Sequence, residues 1–375
     1  MKKLLTMLIA FLLIVTLYGC AQETNPNEDY CILGAKEGVY ICEKRLTSYF
    51  DTTISLKLYY SVDESYNIEE IFSYFEDTVT LYHKYFDKYH EYEGITNIYT
   101  INHSNESLIL DKELFDAIYF AAENESLVLS GGTPLFDIAL NPVLEIWHNA
   151  RESDDCIVTD GITYCPVPND LIDEGEFNTD PNLISLNPVT YSLSFDMPDM
   201  SIDLGGMAKG YISKVIEEHL NDLGVTYLLN TGNSNVVAGG DNPNNDDGYY
   251  YIALTTPTTD YTYYGEYYMY LRVPPGLAVV TSGNYQRFFI GIDDQEIYHH
   301  IINPITNYPG GETMSITVLY EDSALADILS TAIFLLPLED AIEFVNAFDG
   351  LEAVWYKFDG SYVYSQGFAS YIYNA

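Results

Sequence analysis

Three short stretches of the chain carry side chains with the types and spacing for chemistry. Residues 203–210 read DLGGMAKG, so Asp203, Gly205, Gly206, Lys209 and Gly210 precede the helix-like run YISKVIEEHL. Glycines let a backbone turn tightly or approach a ligand closely, and the N–H groups opening a helix favour phosphate oxygens. Lys209 would add a point charge. The glycine spacing fits neither the Walker pattern nor the dinucleotide fingerprint, and a structural turn before a helix explains the stretch equally well when it stands alone. In ALADILST, Asp327 and Thr331 lie four apart on an expected helix and share a face. A hard cation such as magnesium takes oxygen ligands of this kind, with phosphates completing its shell. A surface acid and a threonine bonding back to its own helix have the same spacing. In SGNYQRFF and YHHIINPITNYPGG, His299 and His300 are adjacent. On a strand they point to opposite faces, one structural and one toward a cleft. No G-x-S-x-G nucleophile elbow occurs.

These residues need a frame. YFDTTISLKLYY, residues 49–60, reads as a strand. Ile68, Ile71, Phe72, Phe75, Val79, Leu81, Tyr82 and Phe86 recur at helical spacing. SLILDKELFDAIYFAAENE is a second helix with Asp111 as N-cap candidate. Residues 151–190, rich in Asp, Asn and Pro, read as a loop excursion. A helix follows Gly210 and runs to about Leu223, and DSALADILSTAIFLLP is another, ended by Pro337. VTYLLNTG, the Tyr/Thr-rich stretch 249–273, GLAVVTSG and LEAVWYKF are strand-like. Sheets mixed with long helices and no internal repeat give an α+β class.

The chain has 375 residues, 47% of them hydrophobic, with 36 tyrosines, which supports a sizeable core and excludes disorder throughout. Fifteen basic residues face 56 acidic ones, a formal charge of −41 that argues against nucleic acid as a partner. A phosphate ligand in so acidic a chain calls for a divalent cation. Lys2 and Lys3 precede the apolar run Leu4–Tyr18 and then LYGC, which resembles the lipobox of bacterial lipoproteins. That reading gives a signal peptide over 1–19, a lipidated Cys20, a tether over 20–44, and a body over 45–370 on the extracytoplasmic face of the membrane. Cys31, Cys42, Cys156 and Cys165 remain, and such a location permits disulfides; three pairings are possible and sequence does not choose.

Four blocks, in order, resemble the ApbE family of FAD:protein FMN transferases: GGTPLFDIALNPVLEIW, DLGGMAKGY, TSGNYQRFF with HHIINPIT, and ADILSTAIFLL. The likeness spans roughly residues 45–365. The resemblance implies an ApbE-like, T-fold-related arrangement of mixed sheets and packed helices, with the active site in a cleft between subdomains. It implies that the Gly206 carbonyl, Asp327 and Thr331 hold Mg²⁺. It also implies that Leu135, Phe136, Asp137, Asp203, Lys209 and His300 form the FAD pocket, with Asp203, Lys209 and His300 nearest the chemistry. FAD would be a substrate: its pyrophosphate is split, FMN passes to a Thr or Ser hydroxyl of a secreted or membrane flavoprotein, and AMP leaves.

This sequence departs from the family pattern in places. Asp51 stands where a glycine of Met-Gly-Thr is common, Thr96 and Asn97 replace a Ser-Glu pair, and Asn233 follows Gly232 in NTGNSN. Asn303-Pro304 and Thr306-Asn307 replace Asp-Pro and Thr-Gly, with Asn307 able to accept a left-handed turn. The alternatives are an FAD pyrophosphatase yielding FMN and AMP, a non-catalytic flavin-binding lipoprotein, and a structural surface module.

Overall fold

The computed structural model describes residues 31–61, 66–258 and 265–373. Residues 1–30, with Cys20 and the leader expected there, lie outside the described residues. Among those described, nine strands form the main sheet, every neighbouring pair antiparallel. Their order in space is their order in the chain: Cys31–Leu33, Val39–Tyr49, Thr52–Ser61, Thr226–Thr231, Asn235–Gly239, Ala278–Gly283, Ser315–Tyr320, Glu352–Tyr356 and Tyr362–Tyr364. The first strand and the start of the second fall inside the stretch 20–44 expected to be tether, and a Cys31–Cys42 disulfide joins them. The expected strand 49–60 begins instead at Thr52, because Phe50 and Asp51 form the turn of a hairpin with left-handed φ of 51° and 55°.

Period-two alternation divides the sheet between two cores. Val280, Ile316, Val318, Ala353 and Trp355 face the large core. Their neighbours Val279, Leu319 and Val354 face a smaller one, capped by the hairpin of strands Tyr250–Thr255 and Tyr267–Val273. The large core is covered by α1 (Ile68–Phe86), α4 (Ala208–Asp222) and α5 (Ser323–Phe334), with α2 (Lys112–Asn124) beside them. Of the apolar positions read at helical spacing in α1, Ile68, Ile71, Phe72, Phe75, Val79 and Tyr82 bury, while Leu81 and Phe86 stay half-buried at its edge. Asp322 caps α5, accepting from the Ala324 and Leu325 N–H groups at 3.0 Å each. Asp111 sits at the start of α2 but makes no side-chain cap; its carboxylate accepts from the Tyr85 hydroxyl at 2.8 Å instead.

A third core surrounds α3 (Asn141–Arg151), with Leu140, Val143, Trp147, Phe289 and Ile302. It backs a four-stranded sheet in the order Ile297–His299, Phe288–Gly291, Ile162–Cys165, Ile157–Thr159. The excursion 151–190 is therefore more than loop. It supplies two of these strands, closed by a Cys156–Cys165 disulfide, and a further strand, Ile184–Asn187. Strands of three or four residues among Asp, Asn and Pro show too little alternation to read from sequence. Among the described residues no helix is long and apolar enough to cross a membrane.

Candidate active site

Between the large core and the third core lies a cleft of about 460 Å³, within the range of small-molecule sites. One wall is the stretch from Asp203 to Gly206 together with α4 and α5. Helix α4 begins at Ala208, so Gly210 lies inside its first turn rather than before it. A Cβ on Gly210 would collide with the Ser323 carbonyl oxygen, one on Gly206 would press on the Phe136 ring at 3.1 Å, and one on Gly205 would meet Asp203 Oδ1 at 2.8 Å. None of the three has positive φ. These glycines serve close approach, between α4 and α5 above all, and not an unusual turn.

That approach places the Gly210 N–H 2.8 Å from Asp327 Oδ2. Asp327 is 5% exposed, and burial raises its pKa. No ion pair holds it among the described residues. One turn along α5, the Thr331 hydroxyl donates to the Gly206 carbonyl at 3.3 Å and to the Asp327 carbonyl at 3.1 Å. The second bond is the helix back-bond of the plain structural reading, and the first is not. A buried carboxylate, a hydroxyl and a main-chain carbonyl thus converge from two elements, an oxygen set of the kind hard cations take. Among the described residues no group of three or more His, Cys, Asp or Glu side chains is placed to hold a metal, so any cation here would rely on this mixed set.

The Gly205 N–H is already donated to Asp203 Oδ1 at 2.6 Å, which removes it from a phosphate cradle. Asp203 Oδ2 lies 2.6 Å from Lys88 Nζ. Burial alone would raise the Asp203 pKa; Lys88 and the Gly205 N–H overcome that and hold it below the usual carboxylate range. Leu135 and Phe136 are buried in the cleft wall, and Asp137 caps the short turn after them by accepting from the Ala139 N–H at 2.8 Å. Burial pushes Asp137 up to about 7. Behind it, buried Glu125 accepts from the Ile138 N–H at 2.9 Å and is pushed up to about 8 by the same cause.

The facing wall is built from α3 and the strand ends. Tyr89 stacks on His148 at 4.6 Å, and Arg151 Nη2 lies 3.1 Å from His148 Nδ1. Trp147 donates to the carbonyl of Asn307, whose φ of 60° is the left-handed turn expected there. The histidines divide as the strand requires: His299 is buried against Phe334, and His300 lines the cleft. His300 is exposed in the cleft; desolvation against the wall, with the Arg287 and Lys209 charges, lowers its pKa and favours the neutral ring. Its Nδ1 lies 3.3 Å from the Arg287 carbonyl.

The lining gathers four of the fifteen basic residues, Lys88, Arg151, Lys209 and Arg287, against four acids, Asp51, Asp137, Asp203 and Asp327. A chain with nearly four acids per base thus carries a balanced cleft. Lys88, Arg151 and Arg287 have carboxylate partners; Lys209 has none within 4 Å among the described residues. Sequence reasoning did not single out Lys88, Tyr89, Arg151 or Arg287. The scarcity of cations was the available signal: in so acidic a chain each one is a candidate. Asn97 falls to a structural role, buried and capping the short helix Ile98–Asn102, its amide donating to the Lys84, Asp87 and His90 carbonyls.

The ApbE family model matches residues 50–355, a span that contains every residue named in the cleft. The chain belongs to the ApbE family. The FAD:protein FMN transferase of Klebsiella pneumoniae strain 342 is 26% identical over 227 residues, 59% of this chain and 62% of that protein. The one from Treponema pallidum strain Nichols is 25% identical over 270 residues, 66% of each chain. The match thus spans a little under two thirds of these relatives' length. Among solved structures, the ApbE protein of Thermotoga maritima superposes with a TM-score of 0.72 at 25% identity, covering 89% of this chain and all of that one. The flavin transferase ApbE from Vibrio cholerae, at 19% identity and a TM-score of 0.68 over 88% of this chain and 99% of its own, shares the fold.

Proposed function

We propose that this ApbE-family chain is a Mg²⁺-dependent FAD:protein FMN transferase. The observation that carries the reading is the convergence of the Gly206 carbonyl, Asp327 and Thr331 beside the ammonium of Lys209. In the reaction, an acceptor Thr or Ser hydroxyl oxygen attacks the FMN-side phosphorus of FAD. A phosphoester bond forms, the pyrophosphate P–O bond breaks, AMP leaves, and the hydroxyl proton is released. Bound Mg²⁺ would neutralise charge on the pyrophosphate. Asp327, Thr331 and the Gly206 carbonyl would hold that ion, the buried carboxylate gaining a partner for its charge. Lys209, with the Ala208 and Lys209 N–H groups at the opening of α4, would steady the phosphate oxygens, the Gly210 N–H being held by Asp327. Leu135 and Phe136 exclude water from the FAD pocket beside Asp137. With Nδ1–H directed at the Arg287 carbonyl, neutral His300 offers Nε2 as a hydrogen-bond acceptor that orients the incoming hydroxyl, whose proton passes to solvent. Asp203 orients the turn and does not react. With the lipobox at Cys20, the acceptor is an extracytoplasmic flavoprotein and the enzyme is lipid-anchored beside it.

The test is to incubate the protein with FAD, Mg²⁺ and a candidate acceptor, and to read AMP by chromatography and the acceptor by mass. AMP together with an FMN adduct on Thr or Ser is expected, both abolished by chelator. AMP and free FMN without an adduct would instead indicate water as the acceptor; intact FAD would defeat the reading.

A further inference from the structure

Lys88 has no part in the motifs of the cleft, yet it joins three segments far apart in the chain. It lies just past the end of α1, and its ammonium reaches Asp203 Oδ2 at 2.6 Å and Asn141 Oδ1, at the start of α3, at 2.7 Å. Asn141 in turn donates its amide to the Ser201 hydroxyl at 2.9 Å. Asp203 passes the constraint on: its other oxygen accepts from the Gly205 N–H at 2.6 Å, and its own N–H donates to the Ile138 carbonyl at 2.9 Å. One residue further, the Gly206 carbonyl receives the Thr331 hydroxyl.

The ion pair is withdrawn from water, with the Lys88 and Asp203 side chains 12% and 16% exposed. Burying two charges costs about as much as their attraction returns, and an apolar pair of similar volume is often equally stable. Stability alone therefore does not account for the pair. Its position does: it forms the floor of the cleft beside the turn whose carbonyl faces α5.

We propose that Lys88 is a positioning residue of the flavin-nucleotide site, clamping Asp203 so that the Gly205–Gly206 turn presents its carbonyl toward Thr331. This rests on the proposed flavin-nucleotide reading. Without Lys88, an uncompensated carboxylate would stand beside the incoming pyrophosphate, and the turn would lose its brace. Neutralising Asp203 as well removes the repulsion while an asparagine can still accept from the Gly205 N–H.

The experiment compares wild type, Lys88→Met, Lys88→Arg and the double variant Lys88→Met/Asp203→Asn. FAD affinity is read by flavin fluorescence with Mg²⁺, turnover by AMP release, and folding by circular dichroism. Loss of one partner of a buried pair should weaken FAD binding by roughly 10-fold or more in Lys88→Met. The arginine variant should keep most of the affinity, and the double variant should recover much of the loss. Wild-type affinity in Lys88→Met overturns the proposal. So does a double variant as weak as the single one, which would make Lys88 a direct ligand contact. Should Lys88→Met fail to fold, a folded arginine variant or a folded double variant that loses roughly 10-fold or more in FAD affinity overturns it too. A wild type that binds FAD but forms neither AMP nor adduct refutes the proposed reaction alone, and the clamp is judged on the binding constants. A wild type that binds no FAD overturns both.

Discussion

The two walls of the cleft are built on different principles. On the α4–α5 side, helices touch through glycine, Asp327 is buried, and the polar groups bond across elements: Gly210 to Asp327, Thr331 to Gly206, Lys88 to Asp203. On the α3 side, Tyr89, His148 and Arg151 meet through stacked rings and partly exposed charges, with His300 on the same cleft. That wall rests on a small core and a disulfide-closed hairpin. The first wall is fixed by sterics and fits a defined oxygen geometry; the second is a surface that side-chain exchange can retune.

The comparison is broken most directly at Asp327. Asp327→Asn keeps an acceptor for the Gly210 N–H but loses the charge, so AMP release should fall by about 10²–10³-fold or more with the fold retained. Arg151→Ala on the facing wall should raise KM several-fold at unchanged kcat, a change of roughly 1 kcal/mol in binding. Equal effects in steady-state assays would erase the distinction between the walls.

The disulfides sharpen it. Each closes a short loop, so replacing either pair with serine should lower stability by about 2–3 kcal/mol in denaturant titrations. Only the Cys156/Cys165 pair lies behind the α3 wall, so only its loss should also raise KM. The Cys31/Cys42 variant, altered at the sheet's first strands, should keep wild-type kinetics.

A smaller effect comes from pH. Glu125 and Asp137 have folded pKa values of about 8 and about 7, above those of an unfolded carboxyl. The native state then binds more protons than the unfolded one, so stability is fullest below the unfolded pKa and falls as pH rises from about 4 through about 8. Stability should fall steadily between pH 5 and 8, and Glu125→Gln should flatten the slope of Tm against pH. A slope unchanged in that variant would show that Glu125 titrates normally.

The smallest effect belongs to Asp51 at the mouth. Its side chain is 89% exposed, and its carboxylate is 3.5 Å from Arg287. Asp51→Gly removes a repulsive charge and suits the left-handed φ, so KM for FAD should drop roughly two- to three-fold, the scale of an exposed ion pair. A rise in KM would make Asp51 a ligand contact.

The first wall was legible because steric necessity leaves a local pattern. Gly205, Gly206 and Gly210 lie within six residues, and Asp327 and Thr331 within one helical turn. Long periodic helices such as α1 were legible for the same reason. The second wall was not, because Tyr89 meets His148, and Arg287 meets Asp51, across chain separations that no window spans. The strands Cys31–Leu33 and Val39–Tyr49 were missed because an expected tether, rich in charge just upstream, drew attention from their β-formers. Asp111 misled because a capping residue type does not fix where its oxygen turns when a tyrosine hydroxyl is nearer.

Strands Thr52–Ser61 and Thr226–Thr231 are hydrogen-bonded neighbours, although residues 62–225 intervene. The chain thus leaves the sheet and re-enters it next door, which makes the intervening length a cassette seated on a frame. The cassette brings Lys88, Leu135–Asp137 and the glycine stretch; the frame keeps Asp327 and Thr331. Neither half alone holds a complete grip, and the contact of Gly210 with Ser323 is the latch that unites them.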